Sequence, residues 1–154
     1  MAFRRSLLSA ALAALLVGCA PTHETLARSA LQENRLNDAV DEVRLALLSH
    51  QDNPELKRLA AAIYTNRAAR FYYAHQLAPA HADLQQALAN DPNYSAAWDY
   101  SGLVAFSEHN WKDAIVDGER AGVLAGRAPA AYVETARTQL AEERRTMKGG
   151  ATNR

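Results

Sequence analysis

The chain has 154 residues, and its 17 lysine and arginine residues balance its 17 aspartate and glutamate residues, so the formal net charge is zero. The length suits one domain, and the charge balance lacks the basic footprint of a nucleic-acid-binding protein. Glycine and proline are scarce, and no stretch shows the alternation of a strand, so the sequence predicts an all-helical protein.

The segment 1–18 has the layout of a secretory signal. Two arginines, Arg4 and Arg5, precede an apolar run from position 7 to position 18. That run is shorter than the ~20 residues that a transmembrane helix needs, so a membrane-spanning anchor is the weaker interpretation. The arginine pair loosely resembles a twin-arginine export signal, but Phe3 stands at a position that is usually polar. The general secretory route is therefore favoured.

Cys19 is the only cysteine, and it follows directly on the apolar run. The sequence Leu16-Val17-Gly18-Cys19 resembles the lipobox of bacterial lipoproteins, which implies a diacylglyceryl group on the Cys19 sulfur and cleavage in front of it. An ordinary signal peptide with a chance cysteine is the alternative. Two or three acyl chains would anchor the chain, since each buried CH₂ contributes about 0.8 kcal/mol. An acylated Cys19 leaves no thiol for a disulfide, a metal or nucleophilic chemistry.

In the rest of the chain, residues of similar type recur at one fixed spacing along the sequence. Five pairs of residues share this interval: Tyr64 and Trp98, Ala68 and Gly102, Leu77 and Trp111, Ala80 and Ala114, and Ala87 and Ala121. Tyr132 and Ala136 continue the first two series. The interval and pattern resemble the tetratricopeptide (TPR) repeat, whose period is about 34 residues. The resemblance implies helical hairpins whose small residues let two helices approach closely and whose aromatics fill the space between hairpins.

An earlier copy of the repeat occurs at a longer interval. The residues that match Ala68, Leu77, Ala80 and Ala87 in this copy are Ala27, Leu36, Ala39 and Ala46. The additional length makes about two helical turns, so the inward face of the helices is nearly kept. His23 stands at the aromatic position, where this copy departs from the TPR pattern.

These patterns predict an all-α, right-handed TPR-type solenoid of helical hairpins, with about three repeats and a C-terminal capping helix. The expected repeat helices are 23–34, 37–49, 54–74, 77–90, 94–107 and 111–125. The expected domains are a signal peptide at 1–18, a lipidated tether at 19–22, a TPR domain at 23–146 and a disordered tail at 147–154. Within the TPR domain, the expected repeats are 23–53, 54–91 and 92–126, and a cap helix at 129–146 begins at Pro129.

The sequence offers little for catalysis or metal binding. His75 and His109 are separated by the same repeat interval, so they are expected in equivalent turns, and His75 and His81 lack the spacing of metal ligands. Motifs of nucleophilic serine enzymes, zinc proteases and phosphate-binding loops are missing. An acidic cluster within 33–42 is interpreted as a solvated helix face. We therefore expect a protein that is not an enzyme, with no cofactor and no metal.

The TPR resemblance implies a partner-binding groove lined by the first helix of each hairpin. The matching positions are Thr65, Asn66, Ala69, Tyr72, Tyr73, Asp99, Tyr100, Leu103, Phe106 and Ser107, flanked by Val133, Arg137 and Leu140. Binding energy concentrates in aromatic side chains, so the expected anchors are Tyr72, Tyr73, Tyr100 and Phe106. Core packing is an equally open interpretation for three of these, Tyr72, Tyr73 and Phe106.

Two further expectations concern this groove. Tyr64 and Trp98 are assigned to packing between hairpins rather than to binding. TPR domains that clamp a C-terminal carboxylate use lysine and asparagine at the positions that hold Thr65, Ala69, Asp99 and Leu103 here, so a carboxylate clamp is not expected.

The combination of lipobox and repeats is similar to pilus-assembly and secretin-piloting lipoproteins, including the tight-adherence pilus family. It implies a lipid-anchored scaffold or assembly factor on the periplasmic face of the bacterial outer membrane. Ala20 favours this sorting, because inner-membrane lipoproteins of enteric bacteria have aspartate there. An adaptor that docks cell-wall hydrolases or other periplasmic proteins is the alternative. The expected partner is an envelope protein or peptide segment, with no nucleic acid, and self-association stays open.

Overall fold

The computed structural model describes residues 20–151, and within that range it contains seven α-helices and no β-strand. They are α1 (His23–Gln32), α2 (Leu36–Ser49), α3 (Pro54–Tyr73), α4 (Leu77–Asn90), α5 (Ser95–Ser107), α6 (Trp111–Ala125) and α7 (Ala131–Ala151). None of these helices combines the length and the apolar character needed to cross a bilayer. The predicted signal peptide and Cys19 lie outside the described residues.

The helices stack as three antiparallel hairpins followed by α7. Each helix packs on its neighbours in sequence, and the first helices of successive hairpins (α1, α3, α5) and α7 also pack on one another in order. Across residues 20–151, the second helices, α2, α4 and α6, make no such contacts among themselves. The first helices therefore form the inner, concave row and the second helices the outer row. This hairpin solenoid is the predicted fold class.

Each hairpin is closed by the same turn. Asn34, His75 and His109 adopt the left-handed conformation, with φ of 58°, 56° and 60°. In each turn the next amide donates to a carbonyl five residues earlier, at 2.8 to 2.9 Å: Arg35 to Ala30, Gln76 to Phe71, and Asn110 to Ala105. This pattern satisfies carbonyls at the end of the first helix. The histidines thus lie in equivalent turns, as their spacing predicts, and Asn34 gives the first hairpin the same construction.

Local signals account for most helix boundaries. The Asn53 side chain accepts hydrogen bonds from the amides of Glu55 and Leu56, at 2.9 and 3.2 Å, and Pro54 occupies the first turn of α3. Thr22 caps α1 in the same way, by accepting from the Thr25 amide at 3.2 Å. The predicted ends of α1 to α6 agree with the structure to within two residues.

The last helix differs from its predicted extent at both ends. It begins at Ala131 rather than at Pro129, and it continues to Ala151, so residues 147–151 are helical where the sequence predicts a disordered tail. The chain at Pro129 is held against Gly122, where a Cβ would lie 3.1 Å from the proline nitrogen. Because the chain at Pro129 passes so close to Gly122, α7 begins two residues later than predicted. Lys148 in its last turn interacts favourably with the negative end of the helix dipole.

The repeated small residues form the contacts between helices. The alanines of the repeat, among them Ala68, Ala80 and Ala114, are completely buried, and Tyr64 is buried with them, as predicted. A Cβ on Gly102 would lie 2.3 Å from the Tyr132 hydroxyl and 3.2 Å from the Ala114 carbonyl oxygen. Gly102 therefore marks the close approach of α5 and α6 that the repeat pattern predicts, and Tyr132 of α7 covers it.

Candidate partner-binding groove

Three tyrosines meet on the concave row, where the end of α3 faces the middle of α5. The ring centroids of Tyr72, Tyr73 and Tyr100 are 5.4, 6.3 and 6.4 Å apart, and all three pairs are edge-to-face. Tyr72 and Tyr100 are half-buried against the core, whereas Tyr73 is 70% exposed. The cluster, here called the tyrosine cluster, is an aromatic surface with a rigid base.

Hydrogen bonding within the tyrosine cluster changes the acidity of one hydroxyl. A hydrogen bond with Tyr73 and, second, partial burial raise the pKa of Tyr100 to about 12. The phenol is therefore neutral at physiological pH. Its oxygen can still accept a hydrogen bond there, so the surface combines apolar ring area with polar edges.

The remaining small groove residues divide between surface and core. Asn66 is exposed and its side-chain amide donates to the Ala62 carbonyl at 2.8 Å, while Leu103 is half-buried. Thr65 is buried, and its hydroxyl donates to the Ala61 carbonyl at 2.7 Å. Thr65 therefore belongs to the core, and Asn66 and Leu103 extend the groove surface. Ala69 is half-buried and Ser107 is exposed on the same row.

The two charged residues predicted for the groove are engaged within the chain. Asp99 accepts a hydrogen bond from Arg127 at 2.9 Å and one from the Tyr132 hydroxyl at 3.4 Å. Arg137 forms ion pairs with Glu119 of α6 and Glu134 of α7. These contacts tie α5, α6 and α7 together, and they neutralise much of the charge that either residue offers a partner.

Phe106 lies away from the tyrosine cluster. Its ring centroid is 5.3 Å from that of Trp111 and 5.9 Å from that of Tyr132, in a second hydrophobic cluster that also contains Leu140. Val133 of α7 is completely buried. Phe106 and Tyr72 are equivalent in the repeat, but α7 has Glu134 where α5 has Tyr100. The structure therefore places three of the four predicted anchors together and Phe106 in the packing between α5 and α7.

Two hairpins contain an equivalent polar contact that the sequence did not predict. Arg67 donates two hydrogen bonds to Asp83, and one repeat later Ser101 donates one to Asp117, at 2.6 Å. Burial raises the pKa of Asp117, and the hydrogen bond from Ser101 opposes that shift. The repeat interval itself relates both pairs, so it is the signal that would have located them.

Within the described part of the chain, no three histidine, cysteine, aspartate or glutamate side chains are grouped so that they could hold a metal ion.

Comparison with known proteins identifies the class to which this fold belongs. The crystal structure of the Sgt2 TPR domain from Aspergillus fumigatus is similar over 80% of this chain and 80% of that one, with a TM-score of 0.52 and 25% identity. The fold is therefore a TPR solenoid, and the chain is a TPR-type protein-interaction module.

A curated relative matches part of the chain in sequence. A protein described as DnaJ homolog subfamily C member 7 homolog, from Dictyostelium discoideum, is 31% identical over 72 residues, which make up 47% of this chain. The match spans only 13% of that relative's length. No protein-family model matches the chain.

Proposed function

We propose that this protein is a lipid-anchored scaffold or assembly factor of the bacterial envelope, which holds a peptide segment of another envelope protein against its tyrosine cluster. The observation that carries the proposal is the 70% exposure of Tyr73 within the tyrosine cluster of α3 and α5. The lipobox-like sequence ending at Cys19 supports the anchor and the envelope location.

The groove has the properties of a binding hot spot. Tyrosine supplies a large, stiff contact area with a polar edge, and such residues carry most of the energy at protein interfaces. Tyr72 and Tyr100 support Tyr73 from below, so little conformational freedom is lost when a partner packs on the rings. The charged neighbours Asp99 and Arg127 are paired, which favours a partner segment that is apolar and hydrogen-bonding over one that is strongly charged.

A photocrosslinking residue at Tyr73, with Cys19 intact, tests the groove in the native cell. The matched control is the same residue at Val123, which is 82% exposed on α6 in the outer row. We expect an envelope protein to crosslink at position 73 and to be lost when Tyr100→Ala is added. Crosslinking at position 123 alone would move the binding surface to the outer row and contradict the groove assignment.

The captured protein decides between the two roles that the sequence leaves open. A subunit of a pilus or secretion complex supports an assembly factor, whereas a cell-wall hydrolase supports an adaptor. The anchor is tested separately with Cys19→Ser, which should move the protein from the membrane fraction to the soluble fraction. A Cys19→Ser protein that stays with the membrane would exclude lipidation as its attachment.

A further inference from the structure

Two leucines lie exposed side by side on the outer face of α2. Leu45 is 43% exposed and Leu48 is 79% exposed. With Leu47 and with Tyr64 of α3 they border an open groove of about 660 Å³ that reaches Gln86 of α4. Adjacent apolar side chains at the rim of such a groove mark an interaction surface. We call Leu45 and Leu48 the leucine pair.

The leucine pair lies beside the point where the chain enters the described domain. His23, the first residue of α1, contacts Glu42 of α2 through Nδ1 and Oε2, 2.7 Å apart. Because α1 and α2 are antiparallel, the chain before His23 runs toward the end of α2 that carries the leucine pair. Ala20, the first described residue, is exposed at that end.

Chain length brings Cys19 within reach of the same surface. Three residues, 20–22, separate Cys19 from His23, and the four Cα-to-Cα steps between the two residues span at most ~14 Å of extended chain. Leu48 is six residues beyond Glu42 along α2, a rise of roughly 9 Å. The chain is therefore long enough for an acyl group on Cys19 to enter a bilayer beside the leucine pair.

The charged residues of α2 all precede the leucine pair in the helix: Asp38, Asp41, Glu42 and Arg44. Asp41 and Arg44 lie on the outer face nearer the start of the helix, and the leucine pair follows toward its end. Beyond the helix, the exposed Asp52 carboxylate lies 3.9 Å from the ammonium group of Lys57. The long stem of Arg44 lets its guanidinium reach the headgroup layer while the leucines enter the hydrocarbon.

We propose that the leucine pair inserts into the lipid surface next to the lipid-bearing Cys19, so that α2 lies on the membrane. The proposal rests on the lipid anchor of the proposed function, and it adds an orientation to it. The tyrosine cluster, on the opposite row of the solenoid, then faces away from the membrane and toward its partner.

Bromine quenching measures this contact directly. The full chain with Cys19 processed in the cell is purified in detergent and placed in vesicles of phosphatidylethanolamine and phosphatidylglycerol with brominated acyl chains. One variant carries Leu48→Cys and the control carries Val116→Cys, which is 60% exposed on the outer face of α6. Each new thiol receives a small fluorophore that is sensitive to its environment. Thermal unfolding should match the parent protein, since both sites are exposed.

We expect the label at position 48 to shift to the blue and to be quenched at least several-fold more than the label at position 116. Equal quenching at the two sites, or none at position 48 in vesicle-bound protein, would overturn the orientation and leave the anchor intact. A blue shift without bromine quenching would mean that a second copy covers the leucine pair, which also overturns the proposal. A chain that does not bind the vesicles at all would instead refute the anchor.

Discussion

Arg67 of α3 and Asp83 of α4 form a two-point ion pair, with Nε and Nη2 at 2.7 and 2.8 Å from the two carboxylate oxygens. The Asp83 side chain is 7% exposed, so this arginine takes the place of water around the carboxylate. At the equivalent place in the next hairpin, Ser101 and Asp117 are joined by a single hydrogen bond. The same pair of repeat positions therefore holds an ion pair in one hairpin and a single hydrogen bond in the next. Mutation of the two pairs should change the stability of the protein by different amounts.

Removal of the Arg67 side chain should strongly destabilise the fold. Arg67→Ala leaves a buried carboxylate without its partner, and losses of this kind cost about 3 kcal/mol of the free energy of unfolding. Arg70→Ala on the same helix is the matched control, because Arg70 is exposed and its contact with the Asn34 carbonyl is long, at 3.5 Å. Urea unfolding measures both. Equal losses in the two variants would contradict the role given to the ion pair.

The carboxyl of Asp117 should make stability depend on pH. Burial raises its pKa above 3.8, so the folded state holds the proton more tightly than the unfolded state does. The stability gained from protonated Asp117 is present below about pH 4 and is lost as the pH rises through the raised pKa. As the pH is raised from about 3 to about 7, Asp117→Asn, which stays neutral, should therefore gain stability relative to the parent, with the gain appearing above about pH 4.

The same site offers a variant of opposite character. Ser101→Arg gives Asp117 an arginine partner like the one that Asp83 has. The pKa of Asp117 should then fall, and the sign of its pH-dependent contribution to the free energy of unfolding should reverse. Thermal unfolding of both variants over this pH range is the measurement. Parallel pH profiles for the parent and Asp117→Asn would show that Asp117 titrates normally.

Gly102 should tolerate no larger residue. In Gly102→Ala the new Cβ would meet the Tyr132 hydroxyl at 2.3 Å, so Tyr132 must move and lose its contact with the Asp99 carbonyl. Overpacking of this kind costs about 1–3 kcal/mol. The double variant Gly102→Ala with Tyr132→Phe removes the clashing oxygen and should recover part of the loss. A double-mutant cycle by urea unfolding quantifies the coupling, and additive losses would argue against the contact.

Glycine in the left-handed turn of the second hairpin should stabilise the protein. His75 has φ of 56°, where a Cβ costs roughly 1–2 kcal/mol, so His75→Gly should raise the free energy of unfolding by about 1 kcal/mol. His81→Gly is the control, because His81 is exposed within α4 and glycine in a helix costs about 1 kcal/mol. The two substitutions should thus have opposite signs in the same melting experiment.

The Tyr100 hydroxyl should lose its proton at a higher pH than an ordinary tyrosine does. Its hydrogen bond with Tyr73 raises its pKa from 10 to about 12, so the stability that it contributes is present below pH 10 and is lost as the pH rises toward 12. Tyrosinate absorbance should show this late group, and Tyr73→Phe should move it to lower pH because the ring stays while the hydroxyl leaves. An unchanged titration in Tyr73→Phe would exclude that hydrogen bond as the cause.

The groove could be predicted in part because the repeat fixes which helix faces inward. Tyr72, Tyr73 and Tyr100 lie together as the repeat positions indicate. Phe106 has the same repeat position as Tyr72, yet it packs on Trp111 and Tyr132. The repeat pattern predicts the position of a residue on its helix. The side chains that contact this residue belong to the next hairpin, and they differ from one repeat to another.

The sequence by itself determined the hairpins, their turns and their order, because these depend on residues close together in the chain. Alanines at fixed intervals allow close helix contacts, and Asn53 and Pro54 start α3. Tertiary packing decided whether the charged residues of the groove are available to a partner. The ion pair of Arg137 with Glu119 joins α7 to α6. The ion pair of Asp99 with Arg127 joins α5 to the segment between α6 and α7. No periodicity specifies such pairs, because each needs two side chains brought together only when the last helix packs.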